Sequence, residues 1–182
     1  MTPNAILARI KQQKKDAVER FKNNKYVTIH DYSGNSNTNK CDPFSVWVDL
    51  NFPIYVERNG KPILVDGMKD IRIKYSTGYP ETRPTVYVPE NIVSVHCWGD
   101  RTLCLHTKYS PERNTLIQEL EKLMCLAANC PESINYNSMC RPMAHYKAWT
   151  EENLKNGNLP TIKKSVLLPR VPTRTRRQFN FI

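Results

Sequence analysis

Four side chains in one short stretch, "HCWGDRTLCLH" (residues 96–106), have types that could do chemistry: His96, Cys97, Cys104 and His106. A cysteine thiolate is a strong nucleophile, and a nearby imidazole or helix N-terminus makes it easier to form. Imidazole and thiolate are also ligands for zinc. Three readings compete. Cys104, flanked by Leu103 and Leu105, reads as a small core hydrophobe. His96, Cys97, Cys104 and His106 have zinc-ligand chemistry, but the adjacent His-Cys pair and the lack of any C-x-x-C give poor spacing, so no metal or other cofactor is expected. The third reading is a nucleophilic Cys104 with His96 or His106 as its acid–base partner. Residue types alone do not separate the buried thiol from the nucleophile.

Whatever Cys104 does, other elements must hold it. It lies in a connection, residues 89–111, about twice the usual loop length and with little periodicity. Directly after it, "SPERNTLIQELEKLMCLAAN" carries the strongest helix pattern in the chain. Ser110 is the expected cap, Pro111 suits the first turn, and the helix is expected over 112–128. Leu116, Ile117, Leu120, Leu123, Met124 and Ala127 form its apolar stripe, with Cys125 on the opposite, polar side. Such a helix N-terminus near Cys104 would favour a thiolate.

Upstream, residues 4–23 read as a helix with Ile6, Ile10, Ala17 and Phe21 on one side and lysines on the other. "KYVTIHDYSG" suggests a short strand before a polar loop. In "SVWVDLNFPIYVE" the alternate residues Val46, Val48, Leu50, Phe52, Ile54 and Val56 share a face, and Pro53 argues for a break midway. "RNGK" is a hairpin turn, because Asn-Gly accepts positive φ. "VDGM" is a second turn, and "DIRIKYS" and "PTVYVP" are further strands. Residues 142–156 suggest a last helix, stopped by "NGNLP". The order is helix, antiparallel four-stranded meander, Cys104 loop, helices: an α+β fold over residues 1–158. Residues 159–182 read as a basic, Pro/Arg-rich tail.

The chain has 182 residues, a net charge of +10 and six cysteines. The charge is concentrated at the ends: seven Lys/Arg against two acids in residues 1–26, and six basic side chains with no acid in 161–182. The body between them is close to neutral, unlike a uniformly basic nucleic-acid domain. Such ends suit docking onto an acidic partner. The start, "MTPNAILARIKQQKK", interrupts any apolar run with charge, and no stretch approaches the roughly 20 apolar residues that cross a bilayer. A cytoplasmic protein with reduced thiols is therefore expected, with no membrane partner.

The ordered set Tyr79-Pro80, Pro84, Thr85–Val88, His96, Cys104-Leu105, Tyr109-Ser110-Pro111, the long helix and Pro131-Glu132 resembles the ubiquitin-conjugating enzyme family over about 60 residues. The resemblance implies that family's fold. It also implies that Cys104 accepts the C-terminal acyl group of a ubiquitin-like protein as a thioester and passes it to an amine. The partners implied are a ubiquitin-like protein and its activating enzyme, the latter docking on Lys11, Lys14 and Lys15 of the first helix. The sequence departs from the family where His96 is followed by Cys97-Trp98 in place of Pro-Asn, so the asparagine that assists transfer is missing. His96 and Cys104 are also closer together than usual. Such divergence is similar to stand-alone bacterial proteins of anti-phage operons, where the acyl donor could be a cyclic-nucleotide synthase of the same operon. His96 is expected chiefly to shape the loop, and Trp98 to anchor packing. Two other classes stay open: a non-catalytic binding module of the same fold, and a basic nucleic-acid adaptor.

Overall fold

The computed structural model describes residues 1–30, 40–94, 96–98, 100–105, 110, 115–133 and 146–168. Helix α1 spans Pro3–Phe21. Thr2 caps it, its side chain accepting from the Ala5 N–H at 3.4 Å, and Pro3 opens the first turn where no N–H is needed. Ile6, Ile10, Ala17 and Phe21 are buried, the side that the 3.6-residue period selects. Full burial of a side chain such as Ile6 stabilises by about 1.5–3 kcal/mol.

Six strands follow among the described residues: β1 Val27–His30, β2 Ser45–Leu50, β3 Ile54–Arg58, β4 Lys61–Val65, β5 Met68–Lys74 and β6 Thr85–Tyr87. The chain is thus α+β, with an N-terminal helix and an antiparallel sheet. The sheet is not the contiguous meander that the sequence suggests. Its four strands run β1-β2-β5-β6, so β2 pairs with β5, while β3 and β4 form a separate two-stranded sheet. Pro53 lies at the exit, between β2 and β3. Asn59 and Gly60, at φ of 53° and 71°, then turn β3 into β4 as Asn-Gly should. The outer edge of β3 is taken by residues 91–93: the Glu57 N–H donates to Asn91 O at 2.8 Å and the Val93 N–H to Tyr55 O at 2.9 Å. Gly67 has no substitute, since a Cβ there would stand 2.6 Å from the Leu50 carbonyl oxygen.

Helix α2 spans Leu116–Ala127. Its cap is Thr115, not Ser110. Thr115 and Gln118 form a reciprocal capping box, and Gln13 of α1 accepts the Leu116 N–H at 3.1 Å. Arg20 pairs with Glu121 at 3.3 Å, a second tie between the two helices. A 3-10 turn, Pro131–Ser133, follows. Helix α3, Tyr146–Lys155, sets Trp149 edge-on against Tyr55 of β3 at 5.1 Å. Gly157, at φ of 70°, stands just beyond the end of α3.

The chain does not leave the body after residue 158. Leu159 and Leu167 are buried, the Asn24 side chain donates to Leu167 O at 2.8 Å, and a short helix α4, Lys164–Leu167, packs near α2. The rest of the expected tail, residues 169–182, lies outside the described residues. No helix among those described is long and apolar enough to cross a membrane.

Candidate functional site around Cys104

The stretch read as an irregular connection contains a hairpin. Cys97 bridges Leu103, and the Trp98 N–H donates to Thr102 O at 2.8 Å. The Arg101 N–H donates to Trp98 O at 3.0 Å, with Arg101 at a φ of 66° to close the turn. The Asp100 carboxylate accepts both the Thr102 hydroxyl (2.6 Å) and its N–H (3.0 Å), and the hydroxyl contact holds that carboxyl below its ordinary pKa. The hairpin is stitched to the edge of β6: the Leu103 N–H donates to Val86 O at 3.0 Å and the Val88 N–H to Arg101 O at 2.9 Å. Sheet hydrogen bonding therefore runs one strand past β6 and ends at Cys104.

The register decides which thiol faces which way. Cys97 opposes Leu103, so His96 opposes Cys104, and the Cys104 N–H indeed donates to His96 O at 2.8 Å. Successive side chains alternate across such a ladder. His96 and Cys104 share one face; Cys97 and Leu103 share the other. Accordingly, His96 and Cys104 line a cavity of about 280 Å³, whereas Cys97 is fully buried in the core. The Cys97 sulfur lies 3.5 Å from Trp98 O and 3.9 Å from Asn91 Oδ1, and burial pushes its pKa up to about 12. A neutral, sealed thiol is no partner for Cys104. The same alternation puts Cys97 on the opposite face from His96 and Cys104, two of the other candidate zinc ligands. Among the described residues, no group of three His, Cys, Asp or Glu side chains could hold a metal ion.

Cys104 is half-buried and His96 is buried. Across the cavity stand Gln118, Lys122 and Cys125 of α2 and Lys164 of α4. Positions 118, 122 and 125 recur at helical spacing, so they form one stripe. This is the polar side of α2 on which the sequence put Cys125, and it runs from exposed Gln118 through half-buried Lys122 to buried Cys125. Cys125 is only 2% exposed, at the end of the stripe where Lys164 of α4 and His96 and Cys104 of the hairpin line the same cavity. Burial is the main cause lowering the Lys122 pKa; the nearby Glu119 carboxylate, 3.8 Å away, acts against it. Glu119 is itself buried and paired with Arg83 at 3.1 Å.

Of the other expected site residues, His106 lies outside the described residues, as do Tyr109, Pro111 and Cys140. Trp98 is no packing anchor; it is 42% exposed. Tyr79 is buried, edge-on to Tyr75 at 4.7 Å, with Arg9 of α1 over its ring. Lys11 and Lys15 are exposed on α1 and Lys14 is half-buried. Glu132 is exposed in the 3-10 turn. No family model matches this chain, and no curated protein matches it.

Proposed function

We propose that this protein is a cysteine-dependent acyl transferase of the ubiquitin-conjugating type. Cys104 takes the C-terminal acyl group of a ubiquitin-like protein as a thioester and passes it to an amine. A cyclic-nucleotide synthase of the same operon is the other donor consistent with the sequence resemblance. The observation that carries this reading is that Cys104 is held at the end of a hairpin, half-buried, on the wall of a cavity shared with His96 and the polar stripe of α2. A helix first, a four-stranded antiparallel sheet, the thiol segment and then α2 is also the element order that the sequence resemblance implies.

The chemistry divides one hard transfer into two easier ones. In loading, the Cys104 sulfur attacks the donor carbonyl, an S–C bond forms, and the donor's leaving group departs. In transfer, an amine nitrogen attacks that carbonyl, the N–C bond forms, the S–C bond breaks, and the Cys104 thiolate is released. The amine gives up one proton to a base, for which His106 and His96 are the candidates by sequence. The oxyanion formed on the way needs donors, and the usual asparagine is absent. Lys122 and the amide nitrogen of Gln118 take that role, the Gln118 oxygen being held by the Thr115 N–H at 2.9 Å. The exposed Lys11 and Lys15, with Lys14 beside them, suit an acidic groove on an activating enzyme.

A peptide ending in Gly-Gly, supplied as its mercaptoethanesulfonate thioester, tests the reading without any partner protein. The expected result is an acyl adduct mapped to Cys104, removed by hydroxylamine and missing in Cys104→Ala. Equal labelling of Cys104→Ala, or adducts spread over the other thiols, would overturn the proposal and leave a binding module of this architecture.

A further inference from the structure

The far wall of the Cys104 cavity holds a second pair of thiols that the acyl-transfer reading does not use. Cys125 sits in the last turn of α2 and Cys130 five positions on, where the chain turns back: the Cys130 N–H donates to Cys125 O at 2.9 Å. This turn brings the two thiols into hydrogen-bond contact with each other. Cys130 is sealed, with its sulfur 3.1 Å from the Ile162 carbonyl oxygen, whereas Cys125 lines the cavity. Ser133 and Lys164 also line that cavity, and both act to stabilise negative charge on Cys125. One sulfur is therefore reachable and the other is held directly behind it.

We propose that Cys125 and Cys130 form an oxidisable dithiol, with Cys125 as the peroxide-reactive sulfur and Cys130 as its resolving partner. The Cys130 hydrogen bond, the Ser133 hydroxyl and the Lys164 ammonium lower the Cys125 pKa against the opposing effect of burial and of Glu121, and Cys130 is raised in return. That division matches the roles, because the attacking sulfur must be a thiolate. A cavity of about 280 Å³ admits hydrogen peroxide, which is close to water in size. In the first step the Cys125 thiolate attacks a peroxide oxygen and the O–O bond breaks. The hydroxide released takes up a proton, leaving Cys125 as a sulfenic acid, oxidised by two electrons. In the second step the Cys130 sulfur displaces that hydroxyl as water, its proton leaving with it, and the S–S bond forms. Overall, two thiols and one peroxide give one disulfide and two waters.

The proposal is independent of the acyl-transfer reading, since Cys104 takes no part in either step. Forming the bond also removes the S–H that faces Ile162, and so loosens the segment that carries Lys163 and Lys164 over the cavity.

The test uses the full chain and hydrogen peroxide alone. Digestion with trypsin and a glutamate-specific protease releases residues 123–132, which contain Cys125 and Cys130 but not Cys140. The expected product is this peptide lighter by two hydrogens, restored by dithiothreitol, together with faster tryptic cleavage at Lys163 and Lys164 in the oxidised protein. In Cys130→Ser, dimedone should trap a sulfenic acid on Cys125. A peptide that keeps its mass while other cysteines are oxidised would overturn the proposal. So would a disulfide from Cys125 to Cys104, or dimedone adducts that spare Cys125. The wild-type mapping needs no variant to fold.

Discussion

The two faces of the 96–104 hairpin give the same side chain opposite chemistry. On the inner face Cys97 has lost water altogether, so the charged form is penalised and the sulfur stays a neutral packing group. On the outer face Cys104 meets a cavity that is also lined by an imidazole, an amide, a carboxylate and two ammonium groups. Cys97 stands beside His96, which directly opposes Cys104, so the difference is one of register rather than of position in the fold. A slip of one residue would exchange the two thiols. The stitching of Leu103 and Arg101 to β6 is what prevents that slip.

The largest effect should come from removing each thiol in turn. Cys104→Ala is expected to abolish acylation by the Gly-Gly thioester, whereas Cys97→Ala keeps it, read by intact mass. If the two variants lost acylation equally, the register argument would fail. Next in size is the cavity wall: Lys122→Met should load normally but slow release to a small amine by about 100-fold, the usual loss for one oxyanion donor. Single-turnover release monitored by mass separates the two steps. If loading fell instead, Lys122 would be serving the thiol and not the oxyanion.

Stability changes come last and sharpen the same contrast. Cys97→Ala should cost about 1–2 kcal/mol in urea unfolding, because it empties core volume. Cys104→Ala, at a half-open site, should cost under about 0.5 kcal/mol, as changes outside the core usually do. Thr115→Ala, which removes the cap that fixes the start of α2, should cost about 1 kcal/mol. Ser110→Ala should cost less than Thr115→Ala, since Ser110 does not cap α2.

That last pair also shows what was legible in the sequence. Two helix-start signals lay five residues apart, and Thr115-x-x-Gln118 prevailed over Ser110-Pro111 because it satisfies two N–H groups reciprocally. The buried side of α1, the Asn-Gly turn and the break at Pro53 could be read directly, since each depends on local spacing or on one residue's φ preference. The β2–β5 pairing and the 96–104 hairpin could not. Both rest on contacts between distant backbone groups, and among the described residues the hairpin has one bridge of its own, Cys97 to Leu103. The polar stripe Gln118, Lys122 and Cys125 was visible as a stripe, but one that faces a cavity looks the same in sequence as one that faces water. Cys104 and His96 were singled out by type; that they share a face depended on the register.

Residue-resolved alkylation of the native protein by iodoacetamide, followed by mass mapping across pH 6 to 10, tests that register most directly. Cys104, half-buried on the cavity wall, should be modified in the native chain. Cys97, its pKa pushed up to about 12 by burial, should stay unmodified until denaturant is added. Native-state labelling of Cys97 at a rate comparable to Cys104, or labelling of Cys104 only after unfolding, would contradict the account.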